Sequence, residues 1–115
     1  MPRPRKWRRV CCMPQSRSFG PSDAGGVVLD EVIMTVDEYE TIRLIDLEGF
    51  SQEECAQSMC VARTTAQAIY NNARMKLARC LVEGRELKID GGDFVLCEGR
   101  SSGCSCARCH RSDND

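Results

Sequence analysis

The stretch Ser51-Gln52-Glu53-Glu54-Cys55-Ala56-Gln57-Ser58-Met59-Cys60-Val61-Ala62-Arg63-Thr64-Thr65-Ala66-Gln67-Ala68-Ile69-Tyr70 decides the fold. Ser51 and Glu54 stand three residues apart, the spacing of a capping box, in which the hydroxyl and the carboxylate each accept a backbone N–H that the first helical turn leaves unpaired. Phe50 and Cys55 occupy the positions of a hydrophobic staple. This predicts a short helix ending near Met59. After Cys60-Val61 a second helix is predicted from about Arg63 to Glu83, a run free of Gly and Pro, with Gly84 placed to close it. Its apolar positions, Ala66, Ile69, Tyr70, Ala73, Leu77, Cys80 and Leu81, repeat at i, i+3, i+4 and i+7 and form one stripe. Two helices joined by three or four residues, with small Ala56 where the second must cross, have helix-turn-helix spacing.

Opposite that stripe lie Arg63, Thr64, Gln67, Asn71 and Arg74, with Thr65 at the margin and Lys76 nearby, and no acid precedes Glu83. Arg and Gln pair bidentately with guanine and adenine edges, whereas Thr and Lys suit phosphates or a thymine methyl. The expected partner is double-stranded DNA, with Arg63, Thr64, Gln67 and Asn71 facing bases and Arg74 and Lys76 facing phosphate.

The net charge of −1 argues against such a partner only as an average. Residues 1–22 carry six basic residues and no acid; residues 30–60 carry nine acids against Arg43 alone; residues 61–80 carry four basic residues and no acid. Segregation of this kind lets a basic face meet a polyanion while the acidic segment points elsewhere or tethers the basic arm. The arm itself, Pro2-Arg3-Pro4-Arg5-Lys6-Trp7-Arg8-Arg9, is stiffened by proline and suits a minor groove or a phosphate backbone, so Arg3, Arg5 and Lys6 join the candidate DNA-binding residues.

Working outward, residues 1–26 hold all four prolines and end in Gly25-Gly26, which predicts an extended basic arm with at most one short strand near Val10–Met13. Residues 27–97 form the domain. Val32-Ile33-Met34 reads as a strand, and Thr35 with Glu38 is another capping box opening a helix from Val36 to Glu48. Its inner face is predicted to be Val36, Tyr39, Ile42 and Ile45, with Leu44 and Leu47 beside it. Leu87 and Ile89, then Gly91-Gly92, then Asp93 to Leu96 predict a C-terminal β-hairpin. Residues 98–115 are a Ser, Gly, Arg and Cys tail unable to pack a core, expected to lack order unless metal supplies it. The expected class is mainly α: a helix-turn-helix with a few short strands and an extended N-terminal arm.

Beyond spacing, Ser51 to Ala56, Val61 to Thr65 and Tyr70 to Leu77 resemble the fourth-region helix-turn-helix of bacterial sigma factors, within the winged-helix-like DNA-binding class. The wider pattern resembles a family of short, largely uncharacterised prokaryotic predicted DNA-binding proteins. Arg3-Pro4-Arg5-Lys6, Met34 to Glu40, Arg43-Leu44 and Ile89-Asp90-Gly91-Gly92-Asp93 carry that resemblance, over residues 2 to 98. It implies DNA binding in transcriptional regulation. Two departures stand out: Cys60 replaces the usual turn glycine, at about 1 kcal/mol or more for a left-handed non-Gly residue, and Ala62 replaces the usual serine cap, at about 1 kcal/mol.

The nine cysteines divide by position. Cys55 and Cys80 fall on apolar stripes and read as small core residues. Cys11, Cys12 and Cys60 have no assigned role. Cys97, Cys104, Cys106, Cys109 and His110 cluster in the tail. Cys106-Ala107-Arg108-Cys109-His110 matches the haem-attachment signature, but no export signal and no apolar pocket accompany it. Two readings stay open: zinc or an iron–sulfur cluster on Cys104, Cys106, Cys109 and either His110 or Cys97, or a reactive thiol tail. The first supplies the alternative function, a metal- or redox-sensing regulatory or adaptor protein. No carboxylate pair, phosphate loop or catalytic triad can be placed, so no enzyme is expected. The absence of an apolar run long enough for a membrane predicts a cytoplasmic protein. Homodimerisation, usual for helix-turn-helix proteins, and contact with the transcription machinery are further expectations.

Overall fold

The computed structural model describes residues 8–22 and 30–96. About half of these are helical, and the class is mainly α with a few short strands. The order is β1 (Arg8–Val10), β2 (Ser18–Phe19), β3 (Val32–Met34), α1 (Val36–Ile42) continuing into a π-helical turn (Arg43–Leu47), α2 (Gln52–Met59), α3 (Arg63–Glu83), β4 (Leu87–Ile89) and β5 (Phe94–Leu96).

Both capping boxes form. Thr35 Oγ1 accepts the Glu38 N–H at 3.3 Å while Glu38 Oε1 accepts the Thr35 N–H at 2.9 Å. Ser51 and Glu54 repeat the exchange at 3.0 and 2.8 Å. Each box satisfies two backbone donors that a helix start otherwise leaves open. Gly49 and Gly84 take positive φ where helices end.

The helix expected as one piece from Val36 to Glu48 changes form halfway. From Arg43 the ladder widens, and the Glu48 N–H reaches back five residues to the Arg43 carbonyl. The extra residue in the turn shifts the faces beyond it. Leu44 becomes fully buried with Cys55 and Met59, while Leu47, expected beside the core, is 77% exposed. Leu81 departs in the same sense at 83% exposed, at the edge of a stripe whose Leu77 and Cys80 still pack against the main core.

The strands do not pair as a hairpin. β4 lies at the centre of a three-stranded sheet, parallel to β3 and antiparallel to β2, whereas β5 pairs in parallel with β1. The reason is the use made of Gly91-Gly92. Gly91 O accepts the Val36 N–H at 2.9 Å, and a Cβ on Gly92 would collide with Asp37 Oδ1 and approach Thr35 Cβ to 2.9 Å. The glycine pair lets the chain press against the start of α1 and sends β5 into the other sheet.

The described part of the expected arm is likewise bound into the fold. Val10 is fully buried in the main core with Val32, Met34, Val36, Ala73, Leu87 and Ile89. Arg8 pairs with Asp37 and Asp93, each at 3.5 Å, and the Cys11 N–H donates to Glu40 Oε2 at 3.1 Å. Asp37 and Glu40 of the acidic segment, together with Asp93, hold β1 and the residue after it, the tethering anticipated from the charge blocks.

Candidate nucleic-acid interface

The connection between α2 and α3 is set by one left-handed residue. Cys60 sits at φ 60°, ψ 43°, the only non-Gly residue with positive φ among those described. Its N–H and that of Val61 close the end of α2 onto the carbonyls of Gln57 and Ala56. Ala62 then starts α3 in extended backbone, with no side chain to cap it. Neither Gly nor Ser was needed to keep this geometry.

The first half of α3 is anchored by Ala66, Ile69, Tyr70 and Ala73, all buried. Tyr70 reaches past its own helix, its hydroxyl donating to Asp46 Oδ1 at 2.8 Å. Burial, and then the hydrogen bond to Asp46, raise this hydroxyl above its ordinary value, so it remains a donor. Arg74 stacks on the same ring, its guanidinium carbon 5.4 Å from the centroid. A guanidinium held over an aromatic face keeps its charge while its orientation is restricted.

Arg63, Thr64, Gln67, Asn71 and Arg74 are all exposed, and Thr65 is half-buried. Residues 63, 67, 71 and 74 succeed one another at i, i+4, i+8 and i+11, so they lie along one side of the helix. Exposed Asn72 and Arg79, both within the acid-free run, enlarge the polar surface of α3. Lys76 goes the other way. Its ammonium meets Glu38 Oε1 at 2.6 Å, beside the capping box of α1, so this charge is already satisfied within the fold.

Arg9 connects the strand β1 to this region. Its Nη2 donates to Cys60 Sγ at 2.8 Å, which places a β1 side chain at the turn where α3 begins. Arg3, Arg5 and Lys6 lie outside the described residues. So do Cys97, Cys104, Cys106, Cys109 and His110; among the described residues no group of three or more His, Cys, Asp or Glu could hold a metal. No helix among the described residues is long and apolar enough to cross a membrane.

Residues 1–97 match the model of a family described as a protein of unknown function, DUF134. The chain belongs to this family. It is 62% identical to a UPF0251 protein of Desulfitobacterium hafniense over 104 residues, covering 90% of this chain and 83% of the relative. A UPF0251 protein of Thermoanaerobacter is 47% identical over 103 residues, 90% of this chain and 91% of the relative. One of Halothermothrix orenii is 43% identical over 114 residues, 99% and 80% respectively. Membership of an uncharacterised prokaryotic family, the coarser part of the expectation, is thus found, and the match ends at residue 97, before most of the cysteine-rich tail. No solved structure matches the chain.

Proposed function

We propose that this protein binds double-stranded DNA sequence-specifically and acts as a transcriptional regulator, with α2 and α3 serving as a helix-turn-helix and the first half of α3 lying in the major groove. The observation that carries the reading is the single exposed, acid-free face formed by Arg63, Thr64, Gln67, Asn71 and Arg74. A face serving solvation alone usually interleaves both signs of charge. Two acids that contact α3 are turned to internal work: Glu38 holds Lys76, and Asp46 holds Tyr70.

Bidentate donors at Arg63 and amide groups at Gln67 and Asn71 are the side chains that read purine edges. Arg74 and Arg79 supply charge for phosphates. The uncapped start of α3 adds to this, because first-turn N–H groups without a side-chain acceptor are suited to a phosphate oxygen and the helix dipole favours an anion there. In this reading Ala62 leaves room for a contact that a serine hydroxyl would occupy itself. The role is binding rather than catalysis.

The test is selection of duplexes from a randomised pool by the full-length protein, followed by titration of the selected duplex at several salt concentrations. A recovered consensus, with affinity falling linearly on a log–log plot against salt, supports the reading. Failure to retain any duplex at low salt overturns it.

A further inference from the structure

The register of the three-stranded sheet leaves a gap under one edge of the helical layer. Phe19 of β2 pairs with Leu87 of β4, and Leu87 with Val32 of β3, so the three side chains share one face of the sheet. Val32 and Leu87 are buried beneath the helices, whereas Phe19 is 50% exposed: the cover extends over β3 and β4 and stops short of β2. Between sheet and helices lies a cavity of about 450 Å³, open to solvent. Phe19, Leu87 and Ile89 line it from the sheet, Ile42 from the end of α1, and Leu77 and Cys80 from the second half of α3. The volume falls within the roughly 300–1,000 Å³ of small-molecule sites. Water gains little there, because a held water needs two or more polar partners and these walls are almost entirely apolar.

One charge stands at the rim. Gly84 ends α3 in the left-handed conformation, and the Arg85 N–H returns to the Cys80 carbonyl at 3.1 Å, which brings Arg85 back against the cavity. Among the described residues that line it, Arg85 alone is charged. Its Nε donates to Glu83 and its Nη1 to the Asp30 carbonyl at 3.2 Å, so the guanidinium is oriented, and Nη2 has no acceptor among the described residues. Glu86, the next acid, accepts from Ser18 Oγ at 3.2 Å. Of the charges that act on the Cys80 thiol in the wall, Arg85 and Arg79 are positive and Glu83 alone is negative. The local surplus is one positive charge, which suits a singly charged anion.

We infer that this cavity is a binding site for a small carboxylate with an apolar body, the body lying between the sheet and α3 and the carboxylate on Arg85 Nη2. An uncharged head leaves that donor unused, and a cationic head meets Arg85 and Arg79 with like charge. The site uses the half of α3 away from Arg63 to Arg74, and the inference does not depend on the DNA-binding reading.

The probes are octanoate and its uncharged counterpart octanol, titrated into the full-length protein and followed by methyl NMR. Octanoate should shift the resonances of Ile42, Leu77 and Ile89 saturably and leave those of Leu44 and Met59, in the other core cluster, in place. Arg85→Gln should weaken octanoate binding roughly tenfold and leave octanol binding unchanged. Leu81→Glu, at a rim position 83% exposed and so harmless to the fold, should weaken octanoate more than octanol. The absence of saturable shifts, shifts spread over both clusters, or equal effects of Arg85→Gln on the two probes overturn the inference. A dimer by sedimentation that octanoate leaves intact, with no methyl shift, assigns the cavity to a second copy instead. DNA is absent from every arm, so none of these outcomes bears on the helix-turn-helix reading.

Discussion

Arg43 and Glu40, three residues apart and both sealed from solvent, meet through two hydrogen bonds, Nε to Oε1 at 2.9 Å and Nη2 to Oε2 at 2.7 Å. The same carboxylate accepts the Cys11 N–H, and the same guanidinium donates to Glu48 at 3.2 Å. One buried ion pair thus ties the chain leaving β1 to α1 and to the end of the π turn. Desolvating both charges offsets much of their attraction, so the pair's main effect is that neither member tolerates loss of the other.

Glu40→Ala should therefore cost about 3–5 kcal/mol in urea unfolding, since it strands a buried guanidinium. A Glu40→Leu/Arg43→Met double variant should cost less than Glu40→Ala, with a residual penalty of about 1–3 kcal/mol from the unpaired Cys11 N–H. A double variant less stable than Glu40→Ala would show that the pair is net stabilising.

That pair also shows where sequence reading reached and where it stopped. The capping boxes at Thr35 and Ser51, the extents of α2 and α3, and the left-handed Cys60 were legible, because each depends on a few neighbouring residues. The acidic block from Asp30 to Cys60 gave no sign that Asp37, Glu38, Glu40 and Arg43 are buried. Their burial depends on β1 and on Lys76, which are distant in sequence. Only the i, i+3 spacing of Glu40 and Arg43 carried a hint. The hairpin failed for the same reason: alternation at Leu87 and Ile89 marks a strand but does not name its partner, and the partners are β3 and β2. Of the candidate interface, the exposed face of α3 could be derived from helical periodicity. The withdrawal of Lys76 to Glu38 could not.

Two glycines should respond differently to the same change. Gly84→Ala meets open space and carries only the left-handed penalty, about 1 kcal/mol. Gly92→Ala sits at φ +109° and adds a collision with Asp37 Oδ1, so its destabilisation should clearly exceed that of Gly84→Ala in the same denaturant titration. Equal losses would contradict the close approach of the glycine loop to α1.

Ala62→Ser should supply the missing cap of α3 and stabilise the protein by about 1 kcal/mol, visible as a raised thermal midpoint. If a DNA phosphate uses the open first-turn donors, the same substitution should weaken binding of the selected duplex. Stabilisation together with unchanged affinity would remove the helix start from the DNA contacts.

Cys55 is fully buried, and its thiol is pushed up to about 12, by desolvation first and then by the Glu40 charge, with Arg43 opposing. The thiol ionises in the unfolded chain before it ionises in the folded one. The unfolded state therefore binds fewer protons above pH 9, and stability should fall as pH rises from 9 toward 12. Cys55→Ala should flatten that alkaline slope, although it lowers stability at neutral pH. A thiol reagent should reach exposed Cys60 in the native protein and Cys55 only on unfolding.

The most direct test of the DNA-binding account is the affinity of an Arg63→Ala/Gln67→Ala variant for the selected duplex, measured by fluorescence anisotropy beside the parent. Both side chains are exposed, so the fold should be unaffected, and the loss of two base-reading contacts should weaken binding by about 2–6 kcal/mol relative to the parent. Binding to an unrelated duplex should change far less, and the consensus should relax at the positions these residues read. A double variant that binds the selected duplex as the parent does would contradict the assignment of α3 as the recognition helix.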